Sequence, residues 1–212
     1  TIAETLKEAV RGAIMDGSAV RLQTGAWEVQ ITTPALLAAL AVTELRVNGN
    51  RVACVISSDG SGTGNLPKGH CGMGGCATLL ITSVVIIAIV GGSPRATSGV
   101  MELAGAYHGV DSLARHVALI PPGDVLCLSD YLAWVRGDLM RYEANLYRGL
   151  AHPRLWKAAH GAIRRWARGV GPIPTQLYRA HTKSHLDGDG HWGNTLNEIL
   201  DVLADAGKEM QS

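Results

Sequence analysis

The sequence predicts an α/β domain built on a five-stranded mixed sheet, three antiparallel strands and then parallel ones, flanked by helices. Two observations carry this. Apolar, β-branched runs at 51–59, 75–81 and 83–91 follow one another across short gaps, the pattern of antiparallel neighbours. Two later runs, at 123–130 and 175–181, are each reached through helical periodicity, as parallel crossovers require. With 212 residues, 47% of them hydrophobic and 17% charged, the chain can bury a sizeable core and lacks the composition of a disordered segment.

The elements follow in order. Residues 2–15, "IAETLKEAVRGAIM", place apolar residues at helical spacing and stop at Asp16-Gly17. "AWEVQIT" reads as a short strand. "TPALLAALAVTEL" reads as a helix, with Thr33 as N-cap and Pro34 in the first turn. Asn48-Gly49-Asn50 makes a turn, and a domain boundary is set there. Residues 1–50 are expected as a helical appendage or a linker from a preceding domain, and 51–212 as the catalytic domain.

After the three strands, "SGVMELAGAYHGVDSLARH" predicts a helix and "GDVLCLSD" a buried strand. "YLAWVRGDLMRYEANLY" and "PRLWKAAHGAIRRWARG" predict two amphipathic helices, the second stopping near Gly169. "TQLYRAH" predicts the fifth strand and "LNEILDVLADAGKEM" the last helix. The apolar stretch 78–90 is too short to span a bilayer, and two strands joined by a tight turn explain it better. No signal peptide is visible, so an intracellular protein is expected. The chain starts with Thr1, which is consistent with a piece of a larger polypeptide.

A net charge of +1 selects no partner class, but its distribution does more. Residues 131–170 hold eight basic residues against two acids, Asp138 and Glu143. That excess reads as a solvated helix face or as a surface for a polyanion; Trp156 and Trp166 read mostly as core. The four cysteines form no CxxC pair, so zinc-finger spacing is missing; Cys54 and Cys127 read as small core residues.

Asp59 closes the first strand of the domain and Asp130 the fourth. If those strands lie side by side and parallel, both acids emerge at one edge. Glu102 starts the connecting helix, and Asp201 sits on the last helix. Clustered carboxylates repel, and each has a raised pKa unless a divalent cation neutralises them. All-oxygen ligands suit Mg²⁺, and two such ions promote phosphodiester hydrolysis. Any single acid here also reads as a cap or turn former. The glycines after Asp59 fit a nucleic-acid backbone passing close by, or a plain surface hairpin. A phosphate-binding P-loop is excluded, since no Gly-Lys-Ser/Thr follows and no helix starts there.

Five motifs, in order over residues 51–209, resemble those of type 1 ribonuclease H. "SDGSGTGN" resembles the first, "RATSGVMEL" the second and "CLSDYLAWV" the third. "LWKAAHGAI" with "QLYRAHTKSH" is similar to the helix, fifth strand and histidine loop, and "NEILDVLADAG" to the last motif. The resemblance implies a ribonuclease H-like fold and an endonuclease that cuts the RNA strand of RNA–DNA hybrids, leaving 5′-phosphate and 3′-hydroxyl ends. It implies that Asp59, Glu102, Asp130 and Asp201 hold two Mg²⁺ ions, with Mn²⁺ able to substitute. It implies that His185 assists proton movement and product departure. Gly60, Ser61 and Asn65 match positions that touch the RNA strand; Arg95 and Thr97 match a grip on a DNA-strand phosphate. Ser98 stands where the family has Asn, a minor-groove reader, and Gly99 also departs from the usual polar residue.

Some choices stay open. Asp201 and Asp205 share a helix face, with motif spacing favouring Asp201; Asp187 and Asp189 are further carboxylates near His185. His181, His185 and His191 admit a transition-metal site. A domain of a retroelement or viral reverse-transcriptase polyprotein is expected. The rivals are a non-catalytic nucleic-acid-binding or scaffold module of the same fold, inside a ribonucleoprotein or polymerase assembly, and a nuclease or integrase of that fold acting on DNA.

Overall fold

The computed structural model describes residues 1–41, 45–62, 72–182 and 191–210, the side chains of 191–194 excepted. The expected α/β architecture is present, with helices on both faces of a mixed sheet. Its centre is the predicted set of five strands, β4 (Asn50–Gly62), β5 (Gly72–Ile81), β6 (Ile86–Ala96), β7 (Asp124–Ser129) and β8 (Leu177–His181). β4, β5 and β6 pair antiparallel; β7 runs parallel to β4, and β8 parallel to β7. The turn between β5 and β6 is closed by Thr82, whose N–H and hydroxyl both donate to the Val85 carbonyl at 3.0 Å.

The sheet is wider than five strands. β2 (Trp27–Ile31) pairs antiparallel with β6, and β1 (Val20–Arg21) pairs with β2. β3 (Arg46–Val47) pairs with β4. α1 (Ile2–Asp16), capped by Thr1 and stopped at left-handed Gly17, places Leu6, Val10 and Ala13 in one core cluster with Leu79, Ile86 and Leu203. α2 (Pro34–Ala39) adds Leu36 to it. Elements of the first fifty residues therefore share the core of the domain they were expected to append to.

α7 (His191–Glu209) covers the same face as α1, and begins inside the segment read as a histidine loop. The other face is covered by α3 (Ser98–Arg115) and α6 (Pro153–Val170), with Trp134, Trp156 and Trp166 buried there. α6 runs through Gly169 and is capped by Gly171 at φ 68°. The helix expected over 131–147 is two short ones, α4 (Leu132–Arg136) and α5 (Leu139–Ala144). Gly137 breaks it: a β-carbon there would lie 2.8 Å from the Ala133 carbonyl oxygen, and Asp138 restarts the chain by accepting the Arg141 N–H. Arg179 of β8 ties this corner down, donating to the carbonyls of Trp134 and Gly137 at 2.6 and 2.7 Å.

A candidate carboxylate active site

The register of the parallel strands builds the site. Ser58 of β4 pairs with Ser129 of β7, and Ser129 with His181 of β8. The next residues along β4 and β7, Asp59 and Asp130, therefore stand beside each other at the carboxyl end of the parallel strands, where α/β sheets commonly bind ligands. β4 does not end at Asp59 as expected. It continues to Gly62 along β5, and only its pairing with β7 stops at Ser58.

Two helices bring the other acids, and glycines set how close they come. A β-carbon at Gly60 would lie 2.4 Å from the Glu102 backbone nitrogen, and one at Gly109 would lie 2.4 Å from Ile56 Cγ2. α3 therefore lies directly on β4, with Glu102 beside Asp59. On the opposite face a β-carbon at Gly75 would meet the Ala204 carbonyl oxygen at 2.0 Å, so α7 descends onto β5 and carries Asp201 to the same edge. The glycine-rich stretch thus provides clearance for the protein's own helices at Gly60, Gly62 and Gly75, where clearance for nucleic acid was expected. The Gly60 N–H is itself engaged, donating to Asp59 Oδ1 at 2.9 Å.

The electrostatics follow from this crowding. Burial, a hydrogen bond with Asp201 and the charges of Glu102 and Asp201 push Asp59 up to about 9. Burial first, and then the Asp130 charge, push Glu102 up to about 7. Asp205, the other candidate on α7, is otherwise occupied: it accepts from Ser61 Oγ at 3.1 Å and lies 3.4 Å from Lys208 Nζ. Asp201 is thus the acid of α7 that meets the cluster, and the Ser61 hydroxyl expected at nucleic acid is tied to α7.

The cluster also fits a hard cation. Among the described residues no three His, Cys, Asp or Glu side chains form a ready metal-binding group. Yet Glu102 Oε2 and Asp130 Oδ1 are buried with no hydrogen-bond partner, in an all-oxygen donor set whose mutual repulsion a divalent ion would relieve. The donor chemistry and the orphaned oxygens decide for a fit.

The remaining expected contacts are spread around this edge. Arg95 is exposed on the last residues of β6. Thr97 is the N-cap of α3, its hydroxyl accepting the Val100 N–H at 3.3 Å. Ser98 Oγ faces Gly62, 2.7 Å from the position a β-carbon would take there. Asn65, His185, Asp187 and Asp189 lie outside the described residues. The strand and transition-metal readings of His181 give it no place among the acids, yet its Nε2 stands 3.9 Å from Asp130 Oδ1. Its signal was available, because the parallel pairing that aligns Asp59 with Asp130 also brings the end of "QLYRAH" to the same edge.

No protein-family model matches the sequence, and no curated protein does. Solved structures do match. The native protease–reverse transcriptase of prototype foamy virus is 18% identical, with a TM-score of 0.53 over 79% of this chain and 21% of that one. A foamy viral protease–reverse transcriptase in complex with RNA/DNA hybrid is 20% identical, with a TM-score of 0.52 over 74% of this chain and 20% of that one. The prototype foamy virus ribonuclease H domain alone is 17% identical, with a TM-score of 0.50 over 74% of this chain and 95% of that one.

The chain has the ribonuclease H fold. It spans about a fifth of the length of the protease–reverse transcriptases it matches. Against the 95% coverage of the isolated ribonuclease H domain, a quarter of this chain remains outside the match. Among the described residues, no helix of this ribonuclease H-fold protein is long and apolar enough to cross a membrane.

Proposed function

We propose that the protein is a metal-dependent endonuclease that hydrolyses the RNA strand of RNA–DNA hybrids, leaving 5′-phosphate and 3′-hydroxyl ends. The observation that carries this reading is that Asp59 and Asp130, each one residue past the paired Ser58 and Ser129, gather with Glu102 and Asp201. Four acids gathered with no basic partner among the described residues that offsets them either hold protons or take up a cation, and a divalent ion relieves their repulsion most fully. The fold it shares with a hybrid-bound reverse transcriptase supports the substrate. By the same likeness, we assign the chain to a larger reverse-transcriptase polypeptide.

Asp59, Glu102, Asp130 and Asp201 would hold two Mg²⁺ ions, or Mn²⁺ in their place. Such ions would supply activation of water and stabilisation of the leaving oxygen. The protein's own groups do the rest. Asp59 and Glu102 must give up the protons that crowding favours. His181, beside Asp130, takes up at Nε2 the proton that the attacking water loses as it bonds to phosphorus, and gives a proton to the departing 3′-oxygen as its bond to phosphorus breaks. His185 keeps its expected part in product departure. By the resemblance, the backbone around Gly60 and Ser61, with Asn65, is assigned to the RNA strand, and Arg95 at the end of β6, with Thr97 and Ser98 at the start of α3, to the DNA strand.

The test incubates the protein with labelled hybrid in Mg²⁺, with EDTA and with Asp59→Asn as controls. Metal-dependent cutting that the variant lacks supports the enzyme. Tight hybrid binding without cutting in Mg²⁺ or Mn²⁺ would favour the scaffold, and cutting of duplex DNA alone would favour a DNA nuclease.

A further inference from the structure

Tyr131 follows Asp130 directly and takes no part in the carboxylate cluster. Its backbone N–H donates to Ser129 Oγ at 3.0 Å, and its ring is half-buried against the core on the α3 and α6 face. The hydroxyl reaches across to the first turn of α3. It lies 3.6 Å from the point that a β-carbon on Gly99 would occupy, with Thr97 Oγ1 4.0 Å from the same point. The Glu102 carboxylate is close enough for its charge to act on the phenol. Among the described residues the hydroxyl makes no hydrogen bond.

This turn of α3 is otherwise short of polar reach. Thr97 is committed to capping, Ser98 turns its hydroxyl to Gly62, and Gly99 has no side chain. These are also the positions where the sequence departs from the ribonuclease H motif. Tyr131 enters the vacated volume from the opposite wall of the site.

We propose that Tyr131 is a substrate contact that determines specificity, its hydroxyl pairing with a ribose 2′-hydroxyl of the strand that is cut. This rests on the hybrid-cleaving reading above. The strand held at Asp130 is the one whose phosphate is attacked, so a group adjoining Asp130 meets the sugars of that strand. A 2′-hydroxyl is both donor and acceptor, and so is a phenol. A deoxyribose offers neither at that place.

Tyr131→Phe keeps the ring and removes only the hydroxyl. Hybrid binding is measured by fluorescence anisotropy without divalent cation, and kcat and KM are measured with Mg²⁺. The substrates are a hybrid and the same hybrid carrying single 2′-deoxy substitutions along the cut strand. The variant is expected to bind hybrid about 2–13-fold more weakly, the worth of one hydrogen bond, with KM raised and kcat little changed. At one position the 2′-deoxy substitution should cost the wild type the same factor and cost the variant nothing more. Unchanged hybrid binding by the variant, or losses that multiply at every position, would overturn the proposal while leaving the enzyme reading intact. A wild type that neither binds nor cuts hybrid overturns both.

Discussion

Two buried acids meet the same helix and have opposite surroundings. Asp59, 6% exposed, lies at the start of α3 among Glu102, Asp130 and Asp201. Glu28 of β2, 3% exposed, lies at the other end of α3, where Arg115 donates to Oε2 at 2.5 Å and His116 Nε2 lies 2.7 Å from Oε1. Burial alone would raise both. At Glu28 the hydrogen bonds and charges of Arg115 and His116 outweigh burial and hold it below its ordinary value; at Asp59 burial and neighbouring acids act together and lift it to about 9. Burial alone does not set the protonation of a carboxyl group. What differs between the two acids is whether the protein supplies the counter-charge itself.

The contrast is broken most sharply by removing each acid in turn. Asp59→Asn should lower hybrid cleavage by about three orders of magnitude, about 4 kcal/mol of barrier, in single-turnover assays. It should leave far-ultraviolet circular dichroism unchanged; a variant that cuts normally would refute the cluster. His181→Ala should cost about 10²-fold or more in cleavage rate, as for a general acid–base group. Glu28→Ala should do the reverse, sparing cleavage below its melting point. It should cost about 2–3 kcal/mol in urea unfolding, less than a fully enclosed pair because the Arg115 side chain is 34% exposed. Gly75→Ala should cost about 1–3 kcal/mol by forcing α7 off β5, and slow cleavage by displacing Asp201.

The smallest effect is the most diagnostic, because the two acids give stability slopes of opposite sign. Folding raises Asp59 from 3.8 to about 9, so the metal-free folded state keeps a proton that the unfolded chain releases. That contribution is full below about pH 4 and is lost as pH rises towards 9. Glu28 is lowered from 4.5, so its contribution is present above that value and is lost as pH falls. Melting at pH 8 without metal should rise by about 2–4 °C in Asp59→Asn, and Mg²⁺ should stabilise the wild type but not the variant. A metal-free wild type as stable at pH 9 as at pH 6 would contradict this account of Asp59.

Local signals carried much of this structure. Strand propensity and turn residues placed all five central strands, and the parallel-edge argument aligned Asp59 with Asp130. What escaped depends on partners distant in sequence. Nothing near Gly60 or Gly75 announces that α3 and α7 will press against them, so their glycines looked like room for a ligand. "AWEVQIT" reads as a strand, but its pairing with β6 is chosen by shape and burial some sixty residues away. Nothing in "AWEVQIT" marks Glu28 as an ion-pair residue, because its guanidinium partner, Arg115, is on another element. Gly137 sits inside a helical periodicity that the close approach of its backbone to Ala133 and the capping by Asp138 interrupt.

β2 has one more consequence. Without it, the outer margin of the sheet would be β6, where Ile86, Ile87, Ala88, Ile89 and Val90 form an unbroken apolar run with unpaired backbone groups. Such a margin invites other chains to add themselves as strands. β2 takes that place first, and β1 then closes it with only Val20 and Arg21, the arginine lying over the Trp27 ring at 4.7 Å. The amino-terminal segment thereby acts as a guard on solubility, replacing a sticky border with a short, charged one.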